Sequence, residues 1–195
     1  MSISAQQVQE LRQASGAGVM DVKQALEEAG GDIQIARDIL RKKGMIKAAK
    51  KMERETHEGR VEAYIHANNK VGVLLKLYCE TDFVAQNEQF AQLAHDLVLH
   101  IAASNPQYVS PADVPAQILD NERRIYTEQL QGLQKPTDVL AQIIEGKIEK
   151  FMQEVALTKQ PFVKDLDKTV EDVINEAIAK IGENIQIGGF VRYEL

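Results

Sequence analysis

Through the first forty-four residues, apolar side chains recur three and four positions apart, in three short blocks separated by glycine. That period is the signature of helices burying one face. Ser4 followed by Gln7 is a capping-box pattern, and Val8 and Leu11 begin the first stripe. Gly16-Ala17-Gly18 interrupts it, and a second stripe follows with Val22, Ala25, Leu26 and Ala29. Gly30-Gly31 stops that one, and Asp32 is placed to cap a third helix carrying Ile33, Ala36, Ile39 and Leu40. Gly44 is expected to end it.

The pattern then changes. Residues 45 to 58 are polar and basic and read as a linker, with helical continuation open. Val61 to His66 and Val71 to Cys79 read as strands joined by a tight turn at Asn68-Asn69-Lys70, since Asn tolerates positive φ. The second run is the most apolar in the chain and should be central. After a turn over residues 80 to 87, Phe90, Leu93, Ala94, Leu97, Val98 and Ile101 return to helical spacing. Pro106, Pro111 and Pro115 mark an irregular crossing. Two facing stripes follow, about 112 to 131 (Ile118, Ile125, Leu130) and 137 to 157 (Leu140, Ile144, Ile148, Phe151, Val155), with Gly132 and Pro136 between them. A short connection between such stripes predicts an antiparallel helical hairpin.

Gln160-Pro161-Phe162-Val163 leads toward a helix at 169 to 181, and residues 184 to 195 form a last strand that must pair far back in sequence. The expected fold is α+β. A three-helix domain, similar to the ubiquitin-associated type, occupies residues 1 to 55 with its linker. An antiparallel sheet with helices on one face and a protruding hairpin occupies residues 56 to 195.

Charge and composition narrow the function classes. The net charge of −6 gives no global attraction for nucleic acid or an anionic membrane. No apolar run reaches the roughly 18 to 20 residues of a membrane helix, and the first residues lack a secretory pattern. Cys79 is the only cysteine, so no internal disulfide or cysteine metal cluster is expected, and the chain reads as cytoplasmic. The basic run Arg41 to Arg54 has no interleaved aromatic platform and reads as a solvated linker. His57, His66, His95 and His100 form no metal-ligand pattern, and Cys79 in an apolar strand reads as an inert thiol. With no glycine-rich phosphate loop and no titratable cluster, neither nucleotide binding, a cofactor nor enzyme chemistry is expected.

One segment is more specific. Glu80-Thr81-Asp82-Phe83-Val84-Ala85-Gln86-Asn87-Glu88 joins the central strand to a helix. On spacing alone, Asp82 reads as a helix cap and Phe83 as a core anchor. The segment also closely resembles the Thr-Asp-Phe-Val signature of the elongation factor Ts family. Leu11-Arg12, Gly16 through Leu26, Gly31-Asp32-Ile33, Leu40 through Gly44, Glu145-Gly146-Lys147, Gln160 through Val163 and Gly189 through Arg192 are similar to that family too, in order along nearly the whole chain. Val19, in place of the usual Met, and Lys147, in place of the common Arg, depart from it.

The resemblance implies a non-enzymatic guanine nucleotide exchange factor for elongation factor Tu, acting in protein synthesis. It implies that Thr81, Asp82, Phe83 and Val84 face outward, with Phe83 entering between two helices of the GTPase domain and Asp82 making polar contacts. Met20 and Lys23, three apart on one helix face, would belong to a second contact surface. A single sheet unit in place of the duplicated one of long members implies the short form, a homodimer giving a 2:2 complex. The rival readings are an adaptor that binds without releasing nucleotide, and a small enzyme.

Overall fold

Ser4 and Gln7 close the expected reciprocal cap. The Ser4 side chain accepts from the Gln7 backbone N–H at 3.1 Å, and the Gln7 Oε1 accepts from the Ser4 N–H at 3.0 Å. This cap starts α1 (Ala5–Ser15), which ends at Gly16 in the left-handed region, φ 66°. In this computed structural model, which describes residues 3–131 and 136–195, α2 (Val19–Glu28) follows directly. Asp32 then caps α3 (Ile33–Ala49), its Oδ1 accepting from Gln34 N at 2.8 Å and Ile35 N at 3.0 Å. Leu11, Val22, Ala25, Leu26, Ala36 and Leu40 form the core these helices share.

Gly44 does not end α3, which runs on through a buried Ala48 to Ala49. A Cβ at Gly44 would meet that of Ala179 at 3.5 Å, an ordinary van der Waals contact, so the glycine neither breaks the helix nor is demanded by its neighbour. The linker expected from residue 45 is therefore helical for its first turn.

β1 (Glu58–Ile65) and β2 (Val71–Cys79) are the expected hairpin. His66 N–H donates to the Val71 carbonyl at 2.9 Å, and Asn69 takes the positive φ, 56°. Gly59 approaches β2 so closely that a Cβ there would collide with the Leu77 carbonyl. Val73, Leu75, Leu77 and Cys79 are buried in alternation with more exposed neighbours, the period-two pattern of a strand with one covered face.

α4 (Asp82–Ala85) is a single turn, and α5 (Glu88–Ser104) buries Phe90, Leu93, Ala94, Leu97, Val98 and Ile101. A one-turn 3₁₀ segment at Pro111–Asp113 precedes α6 (Ala116–Gln129), and α7 (Thr137–Val155) returns along it. Arg123 meets Glu145 at 3.1 Å, and Lys147 lies over the Tyr126 ring at 4.9 Å, so the two helices pack side by side. Gly132, read from sequence as the break of this hairpin, lies outside the described residues.

A two-stranded ribbon, β3 (Pro161–Phe162) and β4 (Asp165–Thr169), precedes α8 (Val170–Ile181), and β5 (Gln186–Glu194) closes the chain. The ribbon was not expected from sequence. The large sheet has the order β1-β2-β5. Leu195 N–H donates to the Lys70 carbonyl at 3.0 Å, which sets the end of β5 beside the start of β2 and makes that pair antiparallel. The architecture is α+β, with eight α-helices and a small antiparallel sheet among the described residues.

The chain forms two compact units, each drawn from separate stretches: Met1–Val61, Lys76–Ala94 and Asp172–Gly188 in one, Glu62–Leu75, His95–Glu171 and Gly189–Leu195 in the other. In the first, α8 receives the N-terminal helices. Arg41 pairs with Asp172 at 2.9 Å, Gly44 abuts Ala179, and the Lys180 stem runs past Gly16.

In the second unit, Glu62 on β1 reaches His95 of α5 at 3.6 Å, and Arg192 on β5 donates to the Ala102 carbonyl of α5 at 3.2–3.3 Å. Helix α5 therefore lies across one face of this part of the sheet.

His100 ties the second unit together. It is fully buried, its Nδ1 accepts from Val163 N–H at 3.2 Å, and its Nε2 therefore carries the proton donated to Gln160 Oε1 at 2.9 Å. Gln160 in turn donates to the Glu154 carbonyl at 2.6 Å. Burial pushes the His100 pKa down, and the Gln160 bond opposes this only in part. The folded chain thus refuses a proton that the unfolded chain accepts near pH 6.5. Stability from this group is level above that pH and falls as pH drops from about 6.5 toward the lower folded value. Urea unfolding midpoints at pH 7.5 and pH 5 should therefore differ more for the native chain than for His100→Gln; equal differences would show that His100 carries no such dependence.

Candidate functional site

The corner between β2 and α5 is built from the strand outward. Cys79 ends β2 with its side chain fully buried, and its thiol donates to the Thr81 carbonyl at 3.2 Å. Burial first, then the nearby carboxylates of Glu183, Glu58 and Glu80, push that thiol up to about 11, so it stays protonated and unreactive near neutral pH. Thr81 is extended (φ −129°, ψ 156°) and caps α4, its Oγ1 accepting from Val84 N–H at 3.4 Å. The cap is thus Thr81, one residue before the Asp82 that spacing alone favoured. Asp82 becomes the first helical residue and is exposed, where its charge suits a helix N-terminus.

Phe83 comes next and is 83% exposed. The core-anchor role that spacing allowed it falls to Phe90, which is fully buried. Val84 and Ala85 are half-buried and seat the turn. Asn87 Oδ1 then accepts from Gln89 N–H at 2.7 Å and restarts the chain as α5. The ring is therefore carried on a single helical turn pinned at both ends. Burying a Phe is worth roughly 1.5 to 3 kcal/mol, and at this position the isolated chain leaves that term unrealised.

Beneath the turn lies a set of polar contacts that sequence reading missed. One carboxylate oxygen of Glu183 accepts from Glu80 N–H at 3.1 Å and from Thr81 N–H at 3.0 Å, and the other accepts from the Thr81 hydroxyl at 2.7 Å. Glu80 answers, its Oε1 accepting from Asn184 N–H at 2.6 Å. Asn184 is fully buried and donates from Nδ2 to the carbonyls of Met52 at 3.2 Å and Arg54 at 2.7 Å. Lys51 donates to the Gly182 carbonyl at 2.6 Å. The only sequence signal was a polar Gly182-Glu183-Asn184 step between an apolar helix and an apolar strand, and nothing in it names a partner a hundred residues away.

Met20 and Lys23 lie on α2 in the same unit as the turn. Met20 is 75% exposed, so it does not cap the small core, and Val19 beside it is exposed as well. Lys23 is exposed and loosely paired with Glu27 at 4.0 Å. Neither makes a contact with the Thr81–Val84 turn that the structure records. His66 pairs its Nδ1 with the Tyr64 hydroxyl at 2.8 Å. No described helix is long and apolar enough to cross a membrane.

Residues 3–195 match the family described as Elongation factor TS. The chain is 52% identical over 195 residues to Elongation factor Ts of Fervidobacterium nodosum, covering 100% of this chain and 99% of the relative. It is 51% identical to that of Thermodesulfovibrio yellowstonii, over 100% of this chain and 97% of the relative. It is 49% identical to that of Rubrobacter xylanophilus, with both chains covered in full.

Proposed function

Because the chain belongs to the elongation factor Ts family and so serves translation elongation, we propose that it releases GDP from elongation factor Tu by pressing Phe83 between two helices of the GTPase domain. The observation that carries this reading is an aromatic ring 83% exposed on a turn clamped from below. A Phe has few rotamers to lose on docking, and a rigid turn loses little more, so most of its burial energy is available to deform the partner. The deformation displaces the groups that order Mg²⁺ and the phosphate loop. Asp82, Thr81 and Val84 contact the partner around the ring, and Met20 and Lys23 contact it from α2, on an N-terminal module of ubiquitin-associated type.

Such a factor performs no covalent step of its own. It binds the nucleotide-free GTPase better than the loaded form, and by linkage factor and nucleotide weaken each other equally. Each tenfold gain in release rate requires about 1.4 kcal/mol of barrier lowering, so one buried ring with its flanking contacts can supply a few decades. The GDP-to-GTP preference of the free partner is unchanged. Stopped-flow release of a fluorescent GDP from elongation factor Tu tests this: adding the chain should raise the rate by orders of magnitude. Tight binding without acceleration would leave only an adaptor.

The complex with elongation factor Tu is proposed to assemble in the cytoplasm as a 2:2 particle on a homodimer of this chain. In the second unit, Ile65, Leu74, Val191 and Tyr193 are exposed on the sheet. Val191 and Tyr193 flank Arg192, whose side chain reaches α5 on the covered face, so the two point the other way. Ile65 lies over Gly72 on the neighbouring strand. These four side chains are themselves uncharged, so a two-fold axis that apposes them with their copies brings no like charges together among them.

A further inference from the structure

Among the contacts below the turn, those of Glu183 have a property the others lack: all three end on the two residues that launch the helical turn of Phe83. Its carboxylate holds the amides of Glu80 and Thr81 and the hydroxyl of Thr81. That same hydroxyl accepts from Val84 N–H, so the Glu183 carboxylate is joined through one oxygen to the residue after Phe83. Phe83 is thereby bracketed between an anchored residue two positions earlier and a capped amide one position later. Bonds to an ionised acceptor are the stronger kind, and three of them on one half-buried carboxylate fix a backbone direction more firmly than packing of Val84 alone.

The carboxylate itself is held. Glu183 lies between Gly182, whose carbonyl receives Lys51, and Asn184, whose amide group holds the carbonyls of Met52 and Arg54. Glu80 returns the contact by taking the Asn184 N–H, and Arg54 lies 3.5 Å from the Glu80 carboxylate. Two acidic residues thus exchange backbone donors across the junction of β2, α8 and the end of the helical linker, all within the first unit.

We propose that Glu183 is the positioning residue of the exchange site: it never touches the GTPase, and it sets the direction in which Phe83 leaves the surface. This rests on the reading of Phe83 as the wedge. The flanking contacts of Gly182 and Asn184 run to residues 51–54, directly after α3, so the chain on either side of Glu183 is tied to that segment.

The test combines release kinetics with backbone amide exchange by NMR. Glu183→Ala should expose the Glu80 and Thr81 amides and slow catalysed GDP release about tenfold, the effect of losing charge-assisted hydrogen bonds that orient one contact. Glu183→Gln can keep all three bonds, with the side-chain amide donating to the Thr81 hydroxyl, and should stay within about threefold of the native rate. In a Phe83→Ala background, Glu183→Ala should slow release no further, because there is no ring left to aim. An equal slowing in both backgrounds, or amides still protected in Glu183→Ala, would overturn the assignment. Native-like release by Phe83→Ala alone would instead overturn the wedge, with the exchange data then showing Glu183 to be a fold element only.

Discussion

Replacing Phe83 with Ala should leave folding stability nearly unchanged and slow the catalysed release of GDP from elongation factor Tu by about a hundredfold or more. The two halves of that expectation have one cause. A ring 83% exposed contributes little to its own fold, so truncation leaves no internal cavity and the stability change should stay within about 0.5 kcal/mol. Docked between two partner helices, the same ring would be fully buried, and truncating a buried Phe costs about 3 to 5 kcal/mol. Only the part felt in the release barrier appears in the rate, and about 2.7 kcal/mol of it is already a hundredfold. Phe90→Ala is the informative contrast. It is seven residues on and fully buried, so it should destabilise the fold by several kcal/mol. Thermal unfolding and stopped-flow release, run on both variants, separate the roles. A Phe83→Ala protein that accelerates release normally would end the wedge reading.

The contrast between these two phenylalanines shows how far the sequence could be read. Helical periodicity placed Phe90 in the core because Leu93, Ala94, Leu97, Val98 and Ile101 continue its stripe, and those residues are buried together. Phe83 belongs to no stripe, and an isolated aromatic between a strand and a helix has no period to orient it. Spacing alone made it an anchor, and only the likeness to a family signature pointed outward. Caps were legible where a local pair closes them, as at Ser4 with Gln7 and at Asp32 with the amides of Gln34 and Ile35. At Thr81 the cap shifted by one residue, because the hydroxyl there also donates to Glu183, a contact that no local rule sees.

Gly44 and the β3–β4 ribbon failed for related reasons. Glycine is a fair stop signal in an isolated helix, but here the helix continues past Gly44 and buries Ala48, a tertiary contact that no local signal shows. The ribbon is too short to show a period. It exists because Gln160 is buried among the Ser104 and Glu154 carbonyls and His100, which fixes where Pro161 and Phe162 must run. Long-range polar closure explains both the missed ribbon and the missed Glu183 clamp. In each case one side chain satisfies donors or acceptors drawn from segments far apart in the chain.

The proposed dimer rests on a surface of the opposite character, apolar and exposed. Light scattering at micromolar concentration should give twice the single-chain mass for the native protein, and Leu74→Lys should give the single-chain mass. In a two-fold interface each substitution acts twice, so losing even roughly 1.5 kcal/mol of burial per leucine removes about 3 kcal/mol, over a hundredfold in affinity. Two ammonium groups brought together across the axis add repulsion and desolvation to that. The fold itself should tolerate the change, because Leu74 is 48% exposed and its strand neighbours Val73 and Leu75 hold the covered face. A native chain that is monomeric at micromolar concentration would remove the 2:2 complex from the account. A Leu74→Lys protein that remains dimeric would move the interface off this face. The monomeric variant should still release GDP, since Ile65, Leu74, Val191 and Tyr193 belong to the second unit and the Thr81–Val84 turn to the first. Loss of release together with loss of the dimer would mean that one copy's wedge works only when a second copy is bound.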